Sequence, residues 1–184
     1  MTTDPPRLIS IVLALLLVSC DTATPQNYFD RAVLNCNLMH GFAGSGLRRK
    51  LESPSIKLSE DRKTQAPMKR KEVIDSDTAS IEANFEKVKK LRETDDTREI
   101  LQASRSLYEY VLPVYKTEYQ ELARLYDEGA PRDQIDALAR TIETNYAAGF
   151  ATRYDQLTAV AKPYAARHNI KVNWGVRTAP DPSS

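Results

Sequence analysis

The chain has 184 residues, and its 26 lysines and arginines nearly balance its 25 aspartates and glutamates. This balance gives no overall attraction to polyanions, so we expect no nucleic-acid partner. Six glycines and few runs of β-branched residues argue against a β-sandwich or barrel, which needs frequent turn signals, and the composition therefore favours helices.

The first element along the chain is an apolar run from Leu8 to Val18, preceded by Arg7. Its length fits the hydrophobic part of a secretory signal and is shorter than the roughly 20 residues that a membrane-spanning helix needs. The run ends in Leu17, Val18, Ser19 and Cys20. This ending resembles the lipobox of bacterial lipoproteins, with Cys20 at the acylated position.

The resemblance implies that residues 1–19 are a signal peptide that is removed, and that Cys20 carries a diacylglyceryl group with a further acyl chain, such as palmitate, on its freed amine. Two or more chains make a stable anchor, whereas one is marginal. The expected location is the cell envelope of a bacterium, facing the periplasm. Asp21 resembles an inner-membrane retention signal of enteric bacteria, but other lineages sort differently, so both membranes stay open. The alternative is an uncleaved apolar segment that contains a cysteine.

Cys36 is the second of the two cysteines. A lipidated Cys20 leaves it without an intramolecular partner, and its mostly apolar surroundings, from Val33 to Met39, predict a buried thiol. The alternatives are an intermolecular bond, or a disulfide with Cys20 if the lipobox pattern is accidental.

Residues 20–27 form the predicted anchor and a short polar spacer, and the helical domain is expected over residues 28–169. From Tyr28 to Phe42, apolar residues recur at steps of three and four, which predicts an amphipathic helix. The glycines that follow predict a helix end or a loop: Gly41, Gly44 and Gly46. A phosphate-binding loop is disfavoured, because no predicted strand precedes these glycines and no Lys-Ser/Thr pair follows them.

The segment 47–75 is rich in basic residues, contains Pro54 and Pro67, and has few apolar side chains. This pattern predicts a long, flexible, solvated loop. The loop is either an ordinary charged linker or a segment that rests on anionic headgroups. Its basic residues and one tail residue form the candidate interaction surface: Arg48, Arg49, Lys69, Arg70, Lys71 and Trp174.

Helical periodicity returns after residue 77 and predicts a short helix to about residue 91, then two long helices at about 96–128 and 131–168. Gly129 is placed to end the first long helix, and the short link makes the two antiparallel neighbours. Pro113 and Pro163 are expected to bend or end their helices. The predicted fold is all-α, a bundle of four helices with a loose C-terminal tail over residues 170–184.

Eight of the nine tyrosines lie between Tyr108 and Tyr164. At helical spacing such residues predict the core and its rim, because the ring packs while the hydroxyl reaches the edge. The functional alternative is an aromatic groove between the last two helices that takes a sugar, a lipid or a peptide.

Motifs for catalysis or metal binding are sparse. His40 and His168 are far apart and stand in no ligand motif. The carboxylates of Glu118, Glu121 and Glu143 have basic neighbours, which predicts solvated faces. We therefore expect no catalytic residue, no metal and no cofactor other than the lipid on Cys20, and a protein that is not an enzyme.

Two functional classes follow from these expectations. The favoured one is a membrane-tethered, non-catalytic interaction or structural module that docks on an envelope protein or on peptidoglycan. The alternative is a carrier or binding protein for a small apolar ligand or a sugar. An internal apolar cavity of several hundred Å³ would favour the carrier.

Overall fold

The computed structural model describes residues 23–53, 56–59 and 63–174. These residues form six α-helices, one 3₁₀ helix and one hairpin of two short strands. The elements in chain order are α1 (Pro25–Ala32), the 3₁₀ helix (Leu34–Met39), α2 (Ser45–Glu52), β1 (Ile56–Leu58), β2 (Gln65–Pro67), α3 (Arg70–Lys89), α4 (Arg98–Lys116), α5 (Glu118–Asp127) and α6 (Arg132–Arg167).

The prediction of an all-α helical bundle is confirmed. Helix α4 packs against α6, and α3 packs against both α4 and α5. The four expected helical segments correspond to α1 with the 3₁₀ helix, to α3, to α4 with α5, and to α6. Helix α2 and the hairpin, in which Ile56 pairs with Pro67 and Leu58 with Gln65, were not predicted.

The turn between α5 and α6 confirms the predicted role of Gly129. This residue has a φ of +68°, a conformation that glycine adopts without steric cost. The N–H of Ala130 donates to the carbonyl of Leu125 at 2.9 Å, which satisfies an acceptor at the helix end. The chain therefore reverses within a few residues, and α6 follows over nearly the predicted range.

The predicted helix at 96–128 is interrupted once, at Thr117, whose φ and ψ are −121° and −82°. Pro113 has no N–H to donate to the preceding turn, so the ladder of α4 weakens just before the helix ends at Lys116. The Thr117 hydroxyl donates to the Pro113 carbonyl at 2.9 Å and satisfies that acceptor. Pro163 differs, since α6 continues past it to Arg167.

The prediction of a flexible loop over residues 47–75 is wrong for both ends of that segment. Leu47 and Leu51 lie one helical turn apart and are buried, which is enough to dock the short helix α2 on the bundle. Val73 and Ile74 do the same for the start of α3. The overall scarcity of apolar residues concealed the fact that those present stand at helical spacing.

Residues 25–52, which we call the N-terminal segment, run lengthwise along the bundle. At one end the Tyr28 hydroxyl donates to the carbonyl of Arg92, just beyond α3. At the other end the Arg48 guanidinium donates to Asp136, in the first turns of α6. We call these the His168 end, where α6 finishes, and the Arg70 end, where α3 begins; the 20 residues of α3 separate them by about 30 Å.

Midway along this segment, Cys36 is fully buried, as predicted. Its thiol donates to the carbonyl of Ala32 at 3.3 Å and lies 3.8 Å from the hydroxyl of Ser104. Burial raises the pKa of Cys36 to about 11, against the smaller opposing effects of hydrogen bonds with Ser104 and Tyr108. The thiol is therefore protonated at neutral pH and packs as a small apolar group.

Gly149 is a position in α6 where a side chain meets Tyr110. A Cβ at residue 149 would stand 2.7 Å from Tyr110 Cζ. The ring is held there, because its hydroxyl donates to the Tyr146 carbonyl at 3.2 Å and Arg153 lies over its face at 4.1 Å. The helix therefore needs glycine at position 149 because the Tyr110 ring leaves no room for a side chain, and not because of its backbone conformation.

We expect Gly149→Ala to lower the free energy of unfolding by about 1–3 kcal/mol, since Tyr110 must leave its site. The same substitution in a Tyr110→Ala background should instead raise it by up to about 1 kcal/mol, the helix-propensity gain. Urea denaturation of the wild type, the two single variants and the double variant measures both effects. A gain in stability with Tyr110 present would contradict the packing argument.

Candidate functional site

A concave site of about 640 Å³ forms an open groove on one side of the bundle. It lies between the 3₁₀ helix, the second half of α6 and the chain that follows α6. Its lining residues are Val33, Leu34, Asn37, His40, Tyr154, Asp155, Leu157, Thr158, Lys162, Val172, Asn173 and Trp174.

Helix α6 supplies one wall of the groove from a single face. Tyr154, Thr158 and Lys162 follow at steps of four residues, so they line up along the helix. Leu157, between them, is only 2% exposed and forms part of the core. Polar groups therefore stand above an apolar base along about 12 Å of helix.

The opposite wall is tied to α6 by one hydrogen bond between side chains far apart in the sequence. The Tyr154 hydroxyl donates to Asn37 Oδ1 at 2.9 Å. This bond uses the acceptor of the Asn37 amide, whose nitrogen carries two N–H donors. Tyr154 thus fixes the position of an amide group at one end of the groove.

Trp174 closes the other end of the groove. Its ring makes an edge-to-face contact with Phe29 of α1, with 5.9 Å between the ring centroids. Lys162 Nζ lies 5.8 Å from the centroid of the same ring. A half-buried tryptophan therefore stands beside a lysine ammonium group at the mouth of the site.

The packing of Trp174 corrects the prediction of a loose tail for the part of 170–184 that the structure describes. Ile170, Val172 and Trp174 pack against the core. Asn169 has a φ of 53°, and the N–H of Ile170 donates to the Ala165 carbonyl at 2.9 Å, which turns the chain back at the end of α6. Residues 175–184 lie outside the described residues.

A charged cluster holds the turn from which this tail starts. His168 Nε2 lies 2.7 Å from Asp96, and the Arg167 guanidinium donates to Asp96 at 3.0 Å. Burial acts to raise the pKa of the Asp96 carboxyl, but the hydrogen bonds from His168 and Arg167 outweigh it and leave that pKa below its usual range. The cluster joins the end of α6 to the α3–α4 loop.

We expect Asp96→Asn to lower the free energy of unfolding by less than about 1 kcal/mol near pH 6, since the carboxylate is partly solvated. A carboxyl with a lowered native pKa contributes stability above its unfolded pKa, about 3.9, and loses it as the pH falls further. The difference in stability between the wild type and Asp96→Asn should therefore disappear toward pH 3, as measured by thermal melts. Glu109→Gln, which removes an exposed carboxylate of α4, is the control for the loss of one negative charge.

The basic residues of the candidate interaction surface lie at the other end of the molecule. Arg48 pairs with Asp136 at 2.6 Å, Arg70 Nε donates to the Leu51 carbonyl at 3.1 Å, and Lys71 pairs with Asp75 at 3.1 Å. Arg49 lies on α2 and Lys69 directly precedes α3, so both belong to this end as well. Along α6, about 39 Å separates the level of Asp136 from that of Lys162. The structure does not bring these five residues together with Trp174.

The other predicted positions are also dispersed. Glu118 accepts from the Tyr146 hydroxyl at 2.5 Å, Glu121 pairs with Arg124 at 2.6 Å, and Glu143 lines a second pocket of about 110 Å³. Within the described ranges, no group of three or more histidines, cysteines and carboxylates is placed to hold a metal ion. Cys20, the predicted lipidation site, lies outside the described residues.

The tyrosines form the core and its rim, as predicted. Tyr108, Tyr115, Tyr119 and Tyr164 are buried, and the others between them are partly buried. Phe42, from the N-terminal segment, packs among the rings of Tyr110, Tyr115, Tyr119 and Phe150, with centroids 5.1–6.3 Å apart. Phe42 thus occupies much of the space in which the alternative, an aromatic groove between the last two helices, would lie, and only the small pocket beside Glu143 remains there. The groove of about 640 Å³ lies between α6 and the N-terminal segment instead.

Comparison of the chain with models of protein families, with curated proteins and with solved structures finds no match. In the part of the chain that the structure describes, no helix is both long and apolar enough to cross a bilayer.

Proposed function

We propose that the mature chain is a lipid-anchored, non-catalytic binding module of the bacterial envelope, and that it docks through the groove between the N-terminal segment and α6. Two observations support this proposal. The residues before Cys20 follow the lipobox pattern. The folded residues present a concave site with two aromatic rings and several hydrogen-bonding side chains.

The groove is the observation that carries the binding part of the proposal. Its volume of about 640 Å³ falls within the roughly 300–1,000 Å³ of ordinary ligand sites. Its base is apolar, and its rim carries an amide, a carboxylate, a hydroxyl and an ammonium group. Such a mixture orients a bound molecule through hydrogen bonds while apolar contact supplies affinity.

The fold also says how a lipid anchor would orient the module. Only two residues separate Cys20 from Ala23, and the three steps of chain between them reach about 10 Å. The chain at Pro25 is fixed at the His168 end, where its carbonyl accepts from the Tyr164 hydroxyl at 3.3 Å. An anchor at Cys20 would therefore hold the His168 end toward the membrane, with the Arg70 end about 30 Å farther along the bundle.

This orientation favours one of the two interpretations of the basic segment. The field of anionic headgroups falls off within a Debye length, about 8–10 Å at physiological salt. Arg48, Arg49 and Lys69 at the far end lie beyond that distance. We therefore favour the interpretation that their charges serve contacts within the Arg70 end, as the pair of Arg48 with Asp136 does.

The second candidate function is that of a carrier for a small ligand in the same groove. The volume of the groove favours it, since a small molecule would fit. The groove is open and half-lined with polar side chains, unlike the closed apolar cavity expected of a carrier. Docking on an envelope protein or on peptidoglycan is accordingly the first proposal, and the carrier the second.

We expect Cys20→Ser to block acylation, so that an uncleaved precursor accumulates, with a mass that includes residues 1–19 and no acyl chain. The matched control is Cys36→Ser, which removes the other thiol and should leave processing unchanged. Intact-mass measurement of both variants expressed in a bacterial host, with detergent phase partition, tests this. A normally processed, detergent-partitioning Cys20→Ser chain would contradict the anchor, and density-gradient fractionation of the wild type would identify the membrane.

Docking through the groove is tested with a photo-crosslinking residue placed in the full chain within cells. At Thr158, in the groove wall, it should yield a specific adduct, whereas at Thr141, an exposed threonine on the same helix, it should not. Gel analysis and mass spectrometry distinguish a protein adduct from insoluble peptidoglycan. Equal adducts from the two positions, or none from Thr158, would contradict the groove as the docking site.

A further inference from the structure

The residues that line the groove indicate the chemical class of the molecule that binds there, an inference that rests on the proposed function. We infer that the groove binds an N-acetylated glycan that carries carboxylates, the chemistry of a peptidoglycan strand. Three features of the groove carry the inference: its length between two aromatic rings, the planar polar side chains between them, and one unpaired cation.

The first feature is the pair of rings at the two ends. Tyr154 and Trp174 bound a stretch of about 12 Å along α6. Aromatic faces pack well against flat surfaces of polarised C–H groups, because the face of the ring carries partial negative charge. The C–H face of a pyranose ring is such a surface, and two separated platforms suit a chain of sugars better than a single one.

The second feature is the type of polar group between the rings. Asn173 offers a whole amide, and Asn37 offers the N–H groups of an amide whose oxygen accepts from Tyr154. Amide N–H groups donate to hydroxyl and acetamido oxygens, and an amide oxygen accepts from a hydroxyl or an acetamido N–H. A sugar with an acetamido substituent satisfies these groups together.

The same side chains argue against a hydrocarbon occupant. An acyl chain in the groove would cover the amide nitrogen of Asn37 and the amide of Asn173 without offering them a hydrogen bond. Each polar group that is covered and left unpaired costs about 1–3 kcal/mol. A lipid tail is therefore disfavoured by the lining, although Leu34 and Val172 are apolar.

The third feature is Lys162. Among the described residues it has no ion-pair partner, and its ammonium group lies 5.8 Å from the centre of the Trp174 ring. A sugar stacked on that ring would bring its substituents within reach of the ammonium. A carboxylate substituent would then form a charge-assisted hydrogen bond, which a neutral glycan cannot.

Trp174 is the only tryptophan of the chain, so its fluorescence reports on this site alone. The test uses the mature chain, residues 20–184 with Cys20→Ser, titrated with soluble peptidoglycan oligosaccharides. We expect a saturable change in emission, with about tenfold weaker binding of N-acetylglucosamine oligomers of equal length, which have no carboxylate. Lys162→Gln should abolish this discrimination. The control Lys171→Gln, an exposed lysine of the tail outside the groove lining, should preserve it.

Two further measurements keep the outcome decisive. Circular dichroism should show equal helicity in all variants, and sedimentation with insoluble sacculi should be lost in Trp174→Ala but retained in Trp174→Phe.

An emission change with anionic phospholipid vesicles but not with glycans would overturn the inference in favour of a lipid surface. A specific protein adduct from Thr158 without glycan binding would overturn it while the proposed function stands. The failure of both tests would remove the proposed function too.

Discussion

The structure depends on the packing of the N-terminal segment along the length of the bundle. Phe29, Met39 and Leu51 are fully buried at successive levels between its two ends. Each such side chain contributes about 1.5–3 kcal/mol when it leaves water. This segment also forms one wall of the groove, so the site exists only while the segment is docked.

Charged contacts determine how the N-terminal segment is aligned along the bundle, and they contribute less to stability. Arg48 and Arg132 both reach Glu52 and Asp136, which joins α2 to the first turns of α6. All four side chains are partly solvated, so solvent screens these pairs and each adds little to the stability of the fold. Their arrangement nevertheless fixes which part of α6 the short helix α2 can face, because a shift by one turn would leave the charges unpaired.

Much of the long-helix architecture could be predicted from the sequence, because its signals are local. Helix α6 has apolar residues at regular steps, and Gly129 with Pro131 marks the turn before it. The break at Thr117 was missed, since the apolar pattern continues through it and only Pro113 hinted at an end. Helix α2 was missed because two leucines among basic residues are a weak signal without knowledge of the surface they meet.

The groove could not be predicted in the same way. Asn37 and Tyr154 are 117 residues apart, and nothing in the periodicity of either helix says that they meet. Trp174 was identified as a candidate from its type alone, but its grouping with the basic residues near Arg48 failed in three dimensions. The sequence pattern reports which residues turn inward, and it does not report which distant segment covers them.

The lengthwise course of the N-terminal segment also bears on how the chain reaches its native state. The carbonyl of Pro25 meets the hydroxyl of Tyr164, a contact that spans 139 positions of the sequence. Contacts between distant positions form late, because closing a long loop is entropically costly. The part of the chain that is synthesised first therefore finds its partner surface last. Until α6 is complete, Phe29 lacks the ring of Tyr164 and Phe42 lacks the ring of Phe150. The nascent protein therefore leaves part of this apolar surface exposed to whatever chaperone or membrane lies nearby.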